Sequence, residues 1–232
     1  MTTVLGIDTS TTHVGVALGR DGGLVARTSL PAERRHAEML VPAIDALLRG
    51  AGLRPRDLDA VAVGIGPGLF TGLRVGVTTS MVMARALGVP VVAVPTLELL
   101  AAPHAADGRI VASVIDAKRR EVFGATFGTG PAGLVRRTED AVGPAPNLAD
   151  TLEGLGADVL VVGDGAAAHP DAFAGRARVE VAGPDAAVPD PGALVARAFV
   201  DLAAGLGIDP DAVRPRYLRR SDAELNWERA RS

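Results

Sequence analysis

Val4-Leu5-Gly6-Ile7-Asp8-Thr9-Ser10 opens the chain as a short apolar run ending in polar residues, and its Ile-Asp pair returns 108 positions later as Ile115-Asp116. Val122 and Ala125 stand at the same offset from Val14 and Ala17. After a hairpin longer by two, Leu134, Val135, Arg137 and Thr138 follow Leu24, Val25, Arg27 and Thr28 at an offset of 110, and Val162, Gly163 and Gly165 follow Val63, Gly64 and Gly66 at 99. One such match in a Val- and Ala-rich chain means little; their shared order predicts a duplicated fold.

Working outward, the first strand leads into a second, His13 to Arg20, and the turn Arg20-Asp21-Gly22-Gly23 leads into a third, Leu24 to Thr28. A helix is expected from about Ala32 to Arg49, where Met39, Leu40, Ala43, Leu47 and Leu48 recur at helical spacing before Gly50 and Gly52. A buried strand, Ala60 to Gly64, a glycine-rich loop, a helix from about Thr71 to Leu87 and a strand, Val91 to Val94, complete a β-β-β-α-β-α-β order. In the second half, Gly143-Pro144-Ala145-Pro146 breaks the chain before a helix at Asn147 to Leu155, and a last helix spans about Gly192 to Leu206. The expectation is an α/β, duplicated actin-like fold (the ASKHA architecture of sugar kinases and heat-shock ATPases) with two β-β-β-α-β lobes. Its lobes are residues 1–104 and 105–232, with the break near Ala101 to Arg109.

Composition bounds the function. The 24 basic and 27 acidic side chains leave a net charge of −3 and a sequence pI near 5.8. That excludes an autonomous polybasic nucleic-acid binder, whose affinity rests on phosphate neutralisation. The absence of cysteine excludes disulfides, thiolate metal sites, Fe–S ligation and a Cys nucleophile. Mean hydropathy is positive, at +0.26. Even so, Asp8 interrupts the first apolar run, and Pro90, Pro95 and Glu98 break the stretch Val89 to Ala102, well short of the roughly 20 apolar residues of a spanning helix. A soluble, cytoplasmic protein without membrane association is expected.

Asp8, Thr9, Ser10 and Thr11 stand where this architecture carries its first phosphate loop. Hydroxyls and backbone N–H groups there can hold anions, and the carboxylate a hydrated cation. Asp116 would face Asp8 across a cleft, and the alternative is an ordinary strand-end turn. The second loop, Ala117-Lys118-Arg119-Arg120, lacks small residues. Asp8-Thr9-Ser10 also resembles the aspartic-peptidase turn, but Ala117-Lys118 after Asp116 and the many helical segments speak against that all-β fold. Gly163-Asp164-Gly165 occupies the place of an adenosine cradle or a plain strand-to-helix turn.

Gly64-Ile65-Gly66-Pro67-Gly68-Leu69-Phe70-Thr71-Gly72 fits neither the Walker nor the dinucleotide pattern. It reads as a tight turn feeding a helix, with Thr71 as N-cap. Arg74 is at the unfavourable end of that helix's dipole unless it meets a carboxylate or phosphate or points into water. Gly72, Gly76, Ser80 and Ala84 recur every four residues as a flat stripe, along which either the chain's own sheet or a partner helix can approach. Met81, Val82 and Met83 make the same helix apolar nearly all round, and Met39 adds to that surface. The stripe with Met39, Arg74 and Met83 is therefore a candidate subunit interface. The histidines, His13, His36, His104 and His169, lack metal-ligand spacing. Arg214, Arg216, Arg219 and Arg220 surround Tyr217 in a tail that is either a solvated charge run or a contact for RNA phosphates.

Four stretches together resemble the bacterial TsaB (YeaZ) family: Gly6 to Ser10, Gly66 to Gly76, Ile115 to Val122 and Pro215 to Arg219. The likeness covers nearly the whole chain, and Gly66-Pro67-Gly68-x-Phe70-Thr71-Gly72-Leu73-Arg74 is its most specific part; Leu69 replaces the usual Ser. The resemblance implies a part in making N6-threonylcarbamoyladenosine in tRNAs that decode ANN codons. It implies a non-catalytic paralogue that binds and activates the transferase TsaD in a complex with the ATPase TsaE. It further implies association through the two N-terminal-lobe helices, a homodimer when alone, tRNA contact only within the complex, no required cofactor, and at most weak ATP or ADP binding. TsaD-like sequences carry a His-x-x-x-His metal motif where this chain reads Thr96-Leu97-Glu98-Leu99-Leu100. The alternative from another class is a stand-alone ATP-dependent kinase or hydrolase using Asp8 and Asp116.

Overall fold

The computed structural model describes residues 1–105, 108–131 and 133–219. The first half comprises β1 (Thr3–Asp8), β2 (His13–Arg20), β3 (Gly23–Pro31), α1 (His36–Gly50), β4 (Ala60–Gly64), α2 (Phe70–Leu87), β5 (Val91–Val94) and α3 (Thr96–Ala101). The second comprises β6 (Ile110–Lys118), β7 (Glu121–Gly130), β8 (Gly133–Arg136), β9 (Ala141–Pro144), α4 (Ala145–Glu153), β10 (Val159–Val162), α5 (Gly165–Ala168), α6 (Pro170–Phe173), β11 (Val179–Val181) and α7 (Pro191–Ala203).

The first sheet runs β3-β2-β1-β4-β5 and the second β8-β7-β6-β10-β11, with β9 added against β7. In both sheets the first three strands pair antiparallel and the last two join in parallel. The repeat read from the sequence is thus a repeat of topology, and the architecture is the duplicated actin-like fold.

Alternation along the strands assigns the helices to faces. Leu5, Ile7, Val16 and Leu18 join Leu40, Ile44 and Leu48 of α1 and Leu73 and Val77 of α2 in one buried cluster. Val4, Ala17, Ala62 and Val92 point the other way, onto Leu194, Val195 and Ala198 of α7. In the second lobe, Ile110, Ala112 and Val114 meet Ala149 and Leu152 of α4. Val111, Ile115 and Phe127 meet Leu97, Leu100 and Ala101 of α3. A fully buried Leu of this kind contributes about 1.5–3 kcal/mol.

That arrangement redraws the lobes. The inner helix of the second sheet, α3, comes from the sequence of the first half, and the inner helix of the first sheet, α7, from the end of the second. A break near residues 101–109 therefore separates the strands but not the helices.

Helix boundaries also differ from the sequence reading. Residues 32–35 form a turn instead of the start of α1, because the backbone N–H groups of Ala32 and Glu33 both donate to Thr12 O. α2 begins at Phe70 with Leu69 as its cap, and no side chain caps it. Thr71 is an exposed residue inside the first turn and not the N-cap. α4 begins at Ala145, since Pro146 is tolerated in a first helical turn. α7 is capped by Asp190, whose carboxylate accepts the Gly192 N–H at 2.8 Å.

Candidate functional site

A cleft of about 200 Å³ opens between the lobes, lined by Phe70, Asp116, Lys118, Arg216, Tyr217 and Arg219 among others. Asp8 is not among its lining residues. The turn after β1 lies beneath the glycine-rich loop, and the contacts explain each glycine. Leu69 N donates to Ser10 O at 2.7 Å, and a Cβ on Gly68 would stand 2.1 Å from that same oxygen. Thr9 Oγ1 donates to Gly72 O at 2.7 Å. His36 Nε2 donates to Thr11 O at 2.8 Å. Thr9, Ser10 and Thr11 are consequently 0–1% exposed. The three residues, read as either a phosphate loop or a strand-end turn, are sealed by the chain's own loop, which occupies the approach to their polar groups.

Asp8 is buried under the same cover. Its Oδ1 accepts from Ser10 N at 3.2 Å and from Ser10 Oγ at 2.8 Å, while Oδ2 has no hydrogen-bond partner. Burial drives its pKa up to about 6, and the Ser10 hydrogen bonds offset only part of that rise. Asp8 and Asp116 therefore do not face each other across open space as the sequence reading expected.

Asp116 does line the cleft, and it is already neutralised. Lys118 Nζ donates to Oδ2 at 2.6 Å, Lys118 N donates to Oδ1 at 2.8 Å, and His169 Nε2 lies 3.4 Å from Oδ1. Burial works against the charge on Asp116, but the Lys118 contacts outweigh it and hold the pKa below the ordinary carboxylate value. Asp164 accepts the Asp116 N–H at 2.9 Å and is shifted the opposite way, upward, chiefly by burial. Lys118, Arg119 and Arg120 all have positive φ, so the loop that lacks small residues turns through three left-handed positions. Among the described residues, no group of three His, Asp or Glu side chains is placed to hold a metal ion.

The candidate adenosine cradle is closed as well. A Cβ on Gly163 would meet Val114 O at 2.2 Å, and one on Gly165 would meet the Val114 backbone at 3.0 Å. Both glycines serve the close approach of this segment to β6.

The small-residue stripe of α2 faces inward. Gly72, Gly76, Ser80 and Ala84 are all buried. A Cβ on Gly72 would stand 2.3 Å from Thr9 O, and one on Gly76 would stand 2.2 Å from Thr9 Oγ1. The stripe is close packing against the chain's own sheet, and these four residues cannot be the surface another chain touches. What α1 and α2 present outward is Val41 and Val82, 60% and 63% exposed, with Met39, Met81 and Met83 partly buried beside them.

Arg74 resolves its unfavourable place in the dipole by a route not foreseen. Its guanidinium lies 3.8 Å from the centre of the Phe70 ring, and Nε donates to the Tyr217 hydroxyl at 3.0 Å. Arg216 Nε lies 3.0 Å from the buried Asp140 carboxylate, and Arg219 Nη1 donates to Glu121 Oε2 at 2.7 Å. These two cations, read from the sequence as either a solvated charge run or a contact for RNA phosphates, pair with carboxylates of their own chain; Arg220 lies outside the described residues. The sequence reading missed Lys118 as the partner of Asp116, and also the Phe70–Tyr217–Arg74 cluster. A lysine two residues beyond a strand-end aspartate was the available signal for the first; nothing in the sequence pairs residues 70 and 217.

Comparison with known proteins agrees with this architecture. A family profile described as "TsaD: tRNA N6-adenosine threonylcarbamoyltransferase" matches residues 20–227. An uncharacterised protein of Mycobacterium tuberculosis is 37% identical over 227 residues, 97% of this chain and 95% of its own length. The Escherichia coli tRNA threonylcarbamoyladenosine biosynthesis protein TsaB is 31% identical over 72% of this chain and 74% of its own. The solved structure of YeaZ from Pseudomonas aeruginosa superposes with a TM-score of 0.81 at 30% identity, over 94% of this chain and all of that one. With its fold and these relatives in agreement, this chain belongs to the TsaB/YeaZ family.

Proposed function

We propose that this chain is a non-catalytic subunit in the formation of N6-threonylcarbamoyladenosine in tRNA. It binds and activates a TsaD-type transferase, in a complex that also contains a TsaE-type ATPase, and works in the cytoplasm. The observation that carries this reading is the seal over the first turn: Gly68 against Ser10 O and Thr9 against Gly72 O fill the place where the actin-like ATPases hold phosphate. A stand-alone kinase or hydrolase needs Asp8 exposed to that phosphate or its cation, and here the carboxylate is buried and turned against Gly64. The named activities of the relatives supply the reaction; the chain requires no cofactor of its own and reaches tRNA through the complex.

The partner surface in this reading is the outer face of α1 and α2, centred on Val41 and Val82, with Met39 and Met83 as adaptable neighbours. The same face pairs two copies when the chain is alone. The test is threonylcarbamoyl transfer to tRNA by cognate TsaD and TsaE, given the carbamoyl-adenylate donor, with and without this chain. Modification that needs this chain, with none from the chain alone, is expected. Equal modification in its absence overturns the proposal, as does nucleotide turnover by the isolated chain that vanishes in Asp8→Ala.

A further inference from the structure

Along the described residues the polypeptide passes between the lobes three times: before α3, before α7, and finally within residues 213–219. The last crossing differs from the others in running along the cleft, whose wall includes Arg216, Tyr217, Leu218 and Arg219. It enters from the first lobe, where Val213 is 1% exposed in the core beside α1 and α2. Arg216 N then donates to Ile65 O at 2.7 Å, just beyond the end of β4. The Tyr217 ring packs on Phe70 with centroids 5.0 Å apart, and its hydroxyl takes the Arg74 hydrogen bond, both at the start of α2.

Within the same four residues the segment grips the second lobe. Arg216 pairs with Asp140, Arg219 pairs with Glu121 at the start of β7, and Leu218 packs against the core cluster of Ile115 and Phe127. Gly66 makes room for the crossing, since a Cβ there would stand 3.0 Å from Arg216 O.

We propose that residues 216–219 form a latch across the cleft, holding the second lobe to the first turn of α2 and thereby setting how far the cleft opens. The chemistry suits a fastening that can release. The arginine side chains are partly exposed, at 35% for Arg216 and 26% for Arg219. The Arg219–Glu121 pair, with Glu121 35% exposed, is weak and screened by salt, whereas Arg216 meets a fully buried carboxylate that salt screens much less. Among the described residues, the backbone hydrogen bond that holds residues 216–219 across the cleft is the one to Ile65, and the remaining grip comes from side chains.

The full chain contains no cysteine, so a pair introduced at Val25 on β3 and Asn147 on α4, both exposed and away from the outer face of α1 and α2, can carry spin labels for an interlobe distance measurement, with the labelled chain diluted in excess unlabelled chain to exclude distances between copies. The unaltered latch should give one narrow distance distribution. Tyr217→Ala, which cuts the first-lobe grip, and the double substitution Arg216→Ala/Arg219→Ala, which cuts the second, should each broaden it and shift it to longer distance. Distributions unchanged in both, with unchanged circular dichroism, overturn the latch. Should those variants not fold, the conservative Tyr217→Phe/Arg219→Gln decides: it removes the Arg74 hydrogen bond and the Glu121 pair while keeping the bulk of both side chains, and it should broaden the distribution; an unchanged distribution overturns the proposal.

Discussion

Gly64 lacks a side chain because the Asp8 carboxylate occupies its place: a Cβ on Gly64 would lie 1.8 Å from Asp8 Oδ2. Two neighbouring strands are thereby committed to each other at the carboxyl end of β1. The carboxylate is locked toward β4 by Ser10 on one side and by the bare Gly64 backbone on the other.

Gly64→Ala should therefore destabilise the fold, by about 1–3 kcal/mol or more, as overpacking does in a closed core. The methyl group cannot be accommodated unless Asp8 leaves its Ser10 hydrogen bonds. Urea unfolding of Gly64→Ala beside Gly64→Ala/Asp8→Ala separates the two effects: the double variant should recover part of the loss. Equal losses would show that Asp8 is not the obstacle.

The raised pKa of Asp8, about 6 against an ordinary 3.8, makes stability depend on pH. The folded state favours the protonated carboxyl, so this contribution is fully present below pH 3.8 and is lost as pH rises through 6. The full difference is on the order of 3 kcal/mol. In Asp8→Asn that slope should be missing, which unfolding free energies at about pH 4.5, 6 and 7.5 would reveal. Parallel pH profiles for the two proteins would contradict a buried, titrating Asp8.

Two substitutions on α2 should have opposite consequences. Gly76→Leu forces a side chain onto Thr9 and should impair folding itself, visible as a lowered melting temperature. Val82→Glu, on the outward face, should leave stability within about 0.5 kcal/mol and abolish pairing with the transferase and between copies. Size-exclusion chromatography with multi-angle scattering, alone and with TsaD, distinguishes these outcomes, and retained pairing by Val82→Glu removes the α1–α2 face as the partner surface.

Arg136 is the hub of a charge network beneath the latch. It donates to Glu98 Oε1 at 2.8 Å and pairs with Asp140, whose side chain is 0% exposed, while Glu98 also receives Arg197. Arg136→Ala leaves Asp140 with Arg216 as its remaining ion-pair partner, and a buried carboxylate stripped of its main partner costs about 3 kcal/mol. Arg136→Ala/Asp140→Ala should be less destabilised than Arg136→Ala alone; additive losses would show that the two residues do not act as a pair.

Much of this architecture is a property of the sequence taken alone. The offset that carries Ile7-Asp8 onto Ile115-Asp116 reflects strand order, because a strand, its hairpin and the parallel strand that follows are local patterns of apolar alternation and turn residues. The glycine-rich loop and the α2 stripe were equally legible as places of close approach, since only glycine lets backbones come so near. Which partner makes that approach was not legible. Thr9 meets Gly72 and Gly76 across more than sixty residues of chain, and only the packing of α2 onto the first sheet turned the stripe inward and sealed the phosphate turn. Likewise the residue types of the tail announced charge, but whether Arg216 and Arg219 face solvent or Asp140 and Glu121 depends on where the third crossing lays them. Local pattern determines which elements form; the burial and pairing of polar groups, and with them the chemistry left to the cleft, arise only when distant segments share one interior.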